Sequence, residues 1–313
     1  MVDTLAFGEA LIDVLPSGEV IGGAPLNFAI RVAEVGLPMG TSPGLMTCVG
    51  EDSRGQRIKD LLAKRGVAKQ YIQTLTDRET GYVSIHLERG EASYEFSRDA
   101  AWEQIAPAPH LTHSAAGEIQ LVYFGSLSQR TYRNRESLGQ LLESLPNSLR
   151  LFDINLRLPT PPIAWIEPLL DQCNVLKCNS DELGWLAKVL QLEGQDPRQH
   201  AQQLLQKFAL QSILHTLGEQ GCVWHDSHGT ASLPDAASQV ELPGAASNAD
   251  SVGAGDAASA MLALGLLHQW SPEETVRKCN TAGAFAARTH GPTQPVPEEL
   301  LKVLRASESV DER

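Results

Sequence analysis

Short apolar runs recur along this chain, and most pass directly into a segment whose apolar residues return at helical spacing. Thr4–Gly8, Leu45–Gly50, Ile119–Phe124, Leu149–Asn155 and Cys173–Cys178 read as strands. Phe28–Gly36, Asp52–Gly66, Arg135–Leu145 and the segment opened by Asn179 read as helices. A strand that is apolar on both faces is covered on both faces, and a parallel neighbour requires a crossover long enough to hold a helix. The alternation therefore predicts an α/β fold, a doubly wound, mostly parallel sheet flanked by helices. At 313 residues, with no internal repeat or low-complexity tract, the chain is expected to form one domain over residues 1–313.

The rhythm breaks twice. Between Thr80 and Arg98, Val83, Ile85 and Leu87 share one face, Glu88-Arg89-Gly90-Glu91 supplies a turn, and Tyr94 and Phe96 lie on a return strand. This antiparallel hairpin is either a lid or a sheet edge. Ser212–Trp224 reads as a strand, a glycine-rich turn and a strand, a second hairpin-like element. Near the end, Ser271-Pro272-Glu273-Glu274 opens a helix running to about Arg288, and Leu300, Leu301 and Leu304 mark a last one. Residues 307–313 read as a polar, frayed tail.

Composition removes several function classes. Hydrophobic residues make up 42% and charged residues 20%, unlike a disordered chain, and no apolar run reaches the ~20 residues of a membrane span. Asp3 and the interruption at Phe7-Gly8-Glu9 do not suit a signal peptide, so a cytoplasmic location is expected. The five cysteines are scattered without a C-x-x-C pair, which points to buried reduced thiols rather than disulfides or zinc. With 38 acidic against 25 basic residues and a net charge of −13, no nucleic-acid surface is expected, and any phosphate must be met locally. His225 and His228 fall with Asp226 on an expected turn without a third spaced metal ligand, and read as surface histidines.

One stretch suits an anion. Within Ala246–Ala260, Gly253 and Gly255 free the backbone for a tight, partly left-handed turn, and the apolar run from Met261 continues as a buried helix. Unpaired N–H groups at such a helix start form a concavity for phosphate. Asp256 either favours the positive end of the helix dipole or accepts a proton facing a phosphoryl group. Other positions also carry two readings. Asp13 in its apolar strand is solvent-facing by alternation or a ligand contact, and Gly22-Gly23 is a plain turn or a close backbone approach to substrate. Asn179 with Glu182 is a capping box or something more. Asp153, Asn155 and Arg157 cluster where a strand ends, the side of a parallel sheet where ligands bind. Neither a G-x-x-x-x-G-K-[ST] loop nor an early G-x-G-x-x-G is present, so dinucleotide oxidoreduction is unsupported.

Taken in order, these stretches resemble the PfkB or ribokinase family of ATP-dependent carbohydrate kinases, along its fructokinase branch and over essentially the whole chain. Gly8-Glu9-Ala10-Leu11-Ile12-Asp13 is similar to the family's first-strand motif, Gly22–Asn27 to its N-terminal signature, and Gly50–Gly55 to G-x-D-x-x-G. Asp153–Pro159 is similar to the fructokinase D-x-N-L-R-L-P, Asn179–Glu182 to N-x-x-E, Thr216–Gly221 to T-x-G-x-x-G, and Asp250–Asp256 to D-[ST]-x-G-A-G-D.

The resemblance implies a ribokinase-like fold whose small antiparallel β lid comprises segments of about 11–24 and 80–98. It implies ATP and Mg²⁺ as cofactors, and typically potassium. Asp256 would be the catalytic base, with the amides of Gly253, Ala254 and Gly255 as anion hole. Asp13, Gly23 and Asn27 would hold sugar hydroxyls, with Arg157 touching sugar or phosphate. Asn179 and Glu182 would organise Mg²⁺ and its waters. Thr216, Gly218, Gly221 and Asn280 would line the nucleotide site, and Asp250 with the Val252 backbone would hold a monovalent cation. Three departures stand out: Ala258 for an aromatic, Gly291-Pro292 for Gly-Ala, and Glu51 beside Asp52. The small-molecule sugar implied is fructose, phosphorylated at a primary hydroxyl. A kinase for 2-dehydro-3-deoxygluconate or another sugar is the alternative, with Arg31, Arg98 and Arg157 available for a carboxylate. An inactive sugar or nucleotide sensor on the same scaffold is the non-enzyme reading. Exposed lid edges can pair between subunits, which suits a homodimer.

Overall fold

The computed structural model of the chain describes residues 2–15, 18–88, 91–107, 119–158, 160–232, 242, 244–246 and 249–306. The expected tail at 307–313 lies outside the described residues. In chain order the first elements are β1 (Thr4–Phe7), β2 (Leu11–Leu15), β3 (Gly18–Gly22), α1 (Ala24–Gly36), β4 (Pro43–Gly50), α2 (Ser53–Lys64) and β5 (Ile72–Leu75). Next come β6 (Tyr82–Glu88), β7 (Glu91–Phe96), β8 (Leu121–Gly125), α3 (Tyr132–Ser144), β9 (Leu149–Asp153), α4 (Ile163–Gln172), β10 (Val175–Asn179) and α5 (Ser180–Val189). The chain continues through α6 (Pro197–Lys207), β11 (Ser212–Thr216), β12 (Cys222–Asp226), β13 (Gly229–Ser232), α7 (Ala254–Leu267), α8 (Pro272–Ala286) and α9 (Glu298–Arg305).

The large sheet has the order β13-β12-β11-β10-β9-β8-β1-β4-β5, and its pairs are parallel except β11 with β12 and β12 with β13. From β1 the chain steps to β4 and β5, then returns to β8 on the other side of β1. That reversal makes the C-terminal edge between β1 and β8 the crevice where an open parallel sheet takes a ligand. Alternation along the strands feeds two cores. Leu5 and Phe7 pack with Val122, Phe124 and Phe152 on one face, whereas Ala6 packs with Phe28, Tyr123 and Leu262 on the other. The second face is roofed by α1, α7 and α8, and the Phe28 ring stacks on Tyr123 at 4.0 Å between centroids. Helix α7 is buried from Asp256 through Gly265, as its continuous apolar run requires.

A second sheet has the order β3-β2-β6-β7. The expected hairpin is its β6–β7 pair, but β2 joins β6 in parallel, with Asp13 opposite Val83, so the small sheet is only partly antiparallel. Helix α1 begins at Ala24 and places Asn27 in its first turn. It is not closed by Gly36, because the chain turns on through Leu37–Met39 to a left-handed Gly40. His225 lies within β12 and is buried, contrary to a surface reading, while His228 is exposed on the following turn. All five cysteines are buried free thiols. Among the described residues no helix is long and apolar enough to cross a membrane.

Candidate active site

The site is built around the start of α7. Gly253, at φ 82° and ψ −1°, caps the helix in the left-handed region, and a methyl group there would come within 2.6 Å of the Pro292 Cβ. Gly255 is already helical, so the expected left-handed geometry belongs to Gly253 alone. The second glycine serves another purpose: a methyl group on it would meet the Lys177 Nζ at 2.9 Å. The Ala254 N–H donates to the Ser251 carbonyl (3.2 Å), so the loop itself uses one amide named for the anion hole. Asp256 is 8% exposed, and its Oδ2 accepts from Asn27 Nδ2 at 2.8 Å. Burial and the neighbouring Asp153 carboxylate push Asp256 up to about 6, against the pull of Asn27, Lys177 and Arg157.

Beneath that turn sits a polar cluster of which sequence reasoning marked only Asp153, missing its partners Lys177, Tyr123 and Ser259. Asp153 at the end of β9 is fully buried. Its Oδ1 accepts from Lys177 Nζ (3.0 Å), and its Oδ2 accepts from the Tyr123 hydroxyl (3.1 Å) and the Ser259 hydroxyl (2.8 Å). Burial works against the Lys177 ammonium, yet Asp153, Glu182 and Asp256 hold it up at about 12. The available signal was a lysine inside an apolar parallel strand, which has to find a partner.

On the side toward β2, Arg157 acts on both Glu9 and Asp13. Burial lifts the Glu9 carboxyl to about 7 although the backbone amides of Glu9 and Ala24 donate to it and Arg157 lies near; its Oε2 is buried without a partner. Burial likewise raises Asp13 to about 6, opposed by Arg157 and aided by the Asp250 carboxylate. Gly22 and Gly23 pack tightly against the chain itself. A methyl group at Gly22 would meet Asp13 Oδ2 at 2.5 Å, and one at Gly23 would meet the Glu9 carbonyl oxygen at 2.5 Å. Asn27 Oδ1 is buried and unpartnered. Arg157 is exposed, with Nη1 donating to the Leu156 carbonyl at 3.3 Å.

Farther along the same edge, Asn179 caps α5. Its Oδ1 accepts from the Glu182 N–H (2.9 Å), and Glu182 Oε2 accepts from the Asn179 N–H (2.8 Å). The capping box is therefore real, and it does more, because Glu182 Oε1 accepts from the Leu156 N–H (2.9 Å) and so ties α5 to the segment carrying Arg157. Thr216 ends β11, Gly218 is left-handed (φ 62°), and a methyl group at Gly221 would strike the Asn280 side-chain amide at 2.9 Å. Asp250 Oδ1 accepts from the Val252 N–H (3.1 Å); its Oδ2 accepts from the Gly291 N–H (3.3 Å) and lies 3.1 Å from His290 Nδ1. The Val252 side chain is 48% exposed.

A sequence model of the pfkB family carbohydrate kinases matches residues 10–299. The chain belongs to the PfkB family of carbohydrate kinases. Among PfkB relatives, Fructokinase-1 of Oryza sativa subsp. japonica is 23% identical over 97% of this chain and 98% of its own length. Fructokinase-2 of Solanum lycopersicum is 25% identical over 72% of this chain and 73% of its own. The crystal structure of fructokinase with bound ATP from Xylella fastidiosa superposes with a TM-score of 0.79 at 24% identity, covering 97% of this chain and 98% of that one. The aminoimidazole riboside kinase of Salmonella enterica, solved with aminoimidazole riboside and an ATP analogue, gives a TM-score of 0.75 at 20% identity over 96% and 100%. These structures share the ribokinase-like fold.

Not every PfkB motif lies at the site. In Gly50–Gly55, Asp52 caps α2 by accepting from the Gly55 N–H (2.7 Å), and its other oxygen accepts from the Thr80 N–H (2.7 Å), anchoring the approach to β6. That motif is structural. The departure at Pro292 is absorbed: its ring packs on Gly253, and its carbonyl accepts from Arg31 Nη2 at 3.4 Å.

Proposed function

We propose that this PfkB member is an ATP-dependent kinase that transfers the γ-phosphoryl group to a primary hydroxyl of fructose, giving fructose 6-phosphate, with Asp256 as the base. The observation that carries this reading is the placement of Asp256. A buried carboxyl with its pKa near 6 stands in the first turn of α7, oriented by Asn27 from α1, beside amides suited to phosphate. The hydroxyl oxygen attacks the γ-phosphorus, its proton passes to Asp256, and the bond to the bridging oxygen breaks to release ADP. The amides of Gly253 and Gly255 stabilise the transferring oxygens, and that of Ala254 joins them on leaving the Ser251 carbonyl.

Other groups fit the sugar and the cofactors. The unpartnered Asn27 Oδ1 and the half-buried Asp13 suit sugar hydroxyls, and Gly23 brings α1 close. Glu182 is buried with each oxygen on an amide, which suits a water-relayed hold on Mg²⁺ alongside Asn179. Mg²⁺ when bound neutralises phosphate charge. Thr216, Gly218, Gly221 and Asn280 suit the nucleotide. Asp250 and the Val252 backbone offer hard oxygen donors for potassium.

The chance of a carboxylated sugar rests on exposed Arg157, which supports 2-dehydro-3-deoxygluconate as the second reading. ADP release with Mg·ATP across a sugar panel, with and without K⁺, decides the substrate. Fructose is expected to turn over best. Sugar binding without turnover of any sugar would instead leave the sensor reading. Asp256→Asn is expected to lower kcat by about 10²–10⁴-fold with an unchanged circular dichroism spectrum; wild-type rates would remove the base role.

A further inference from the structure

The cluster beneath α7 contains a cation that the roles above leave unused. Lys177 stands opposite Asp153 in the register of β10 and β9, and its ammonium is 3.0 Å from Asp153 Oδ1. It is 5% exposed, so solvent does not provide its counter-charge. Asp153 is fixed from two further sides, by Tyr123 on β8 and Ser259 one turn into α7. The ammonium lies against the backbone of Gly255, where a methyl group would approach it to 2.9 Å. One residue on is Asp256. A buried lysine with a fully ligated carboxylate behind it is thus pressed against the turn that carries the base.

We infer that Lys177 is a positioning residue for phosphoryl transfer: paired with Asp153 and seated in the space that Gly255 leaves, its ammonium keeps the Asp256 carboxyl an anion in place. The inference rests on Asp256 being the base. It also gives the second glycine of Gly253-Ala254-Gly255 a purpose beyond its amide, since any larger residue displaces the ammonium. The groups facing Asp256 come from several elements. They are Asn27 on α1, Glu9 after β1, Tyr123 on β8, Asp153 on β9, Arg157 beyond it and Lys177 on β10. Two of these are full cations, and Arg157 is exposed and screened, whereas Lys177 is enclosed, where a charge acts most strongly. Asp153 acts in the opposite sense, and the two partners should therefore move Asp256 in opposite directions when removed.

The test follows the Asp256 carboxyl directly by NMR after ¹³Cγ labelling of aspartate, its resonance assigned by its loss in Asp256→Asn. Lys177→Met is expected to raise the titration midpoint by about 1 pH unit and Asp153→Asn to lower it. The acid limb of kcat/KM should move with each. A lysine that merely packs would change stability and leave the midpoint alone. An unmoved midpoint in both variants overturns the inference. If Lys177→Met does not fold, Gly255→Ala, which crowds the ammonium and keeps its charge, replaces it and is expected to raise the midpoint. The base role is judged separately: Asp256→Asn retaining turnover sinks that role, whereas the titration still reads what the pair does to Asp256.

Discussion

Asp256 is held in surroundings that cost stability at neutral pH. Its pKa rises from 3.8 to about 6 on folding, because burial and Asp153 disfavour the anion. A folded-state pKa above the unfolded one means that this group's contribution to stability is fully present below about pH 4 and is lost as pH rises through 6. The shift is worth on the order of 2–3 kcal/mol. Asp256→Asn, which keeps an acceptor for Asn27, should therefore melt several degrees above wild type at pH 7–8, with the difference vanishing near pH 4, as read by thermal denaturation. Activity runs the other way, and kcat/KM should fall as pH drops below about 6. The sequence marked Asp256, Asn27 and Asp13 because each sits in a short motif. The surroundings of Lys177 and Glu9 were not legible, since Lys177 meets Asp153 once β9 and β10 pair, and Glu9, though inside the first-strand motif, is enclosed as Gly23 returns over its backbone.

At the level of elements, the turn into α7 depends on a backbone conformation that other residues resist. Gly253→Ala combines a φ of 82° with a methyl group 2.6 Å from Pro292 Cβ, so a loss of about 1–3 kcal/mol is expected in urea unfolding, with kcat/KM for ATP reduced as the amides shift. The long apolar strands and capped helices were legible because each repeats its signal over many residues. Helix α4 was hidden by Pro162 at its cap and Pro168 within it, and α6 by a glutamine-rich face with only Ala201, Leu204 and Leu205 buried. The edge strands β5 and β13 are only a few residues long, and such short runs carry little periodicity.

Across the whole molecule, distant parts converge on Glu34. Its carboxylate accepts from Arg31 Nη1 (2.6 Å) and from Arg65 at the C-terminal cap of α2, and its backbone carbonyl accepts from Arg305 on α9 (2.7 Å). Arg31 and Arg65 also donate to carbonyls of Gln294 and Thr293, so the cluster clamps the segment that packs on Gly253. Glu34→Ala leaves the buried Arg31 without its carboxylate and is expected to cost about 3–5 kcal/mol in denaturant unfolding. The alternation of the main strands and helices was legible in the sequence, but this clamp joins residues far apart in the chain and has no local signature. The two sheets also share out the candidate site. Asp13 belongs to β2 of the small sheet, while Asp256 rides on a helix of the large one. A sugar touching both carboxylates would be a strut between the two sheets, and its length, as much as its hydroxyl pattern, would decide whether it reaches both.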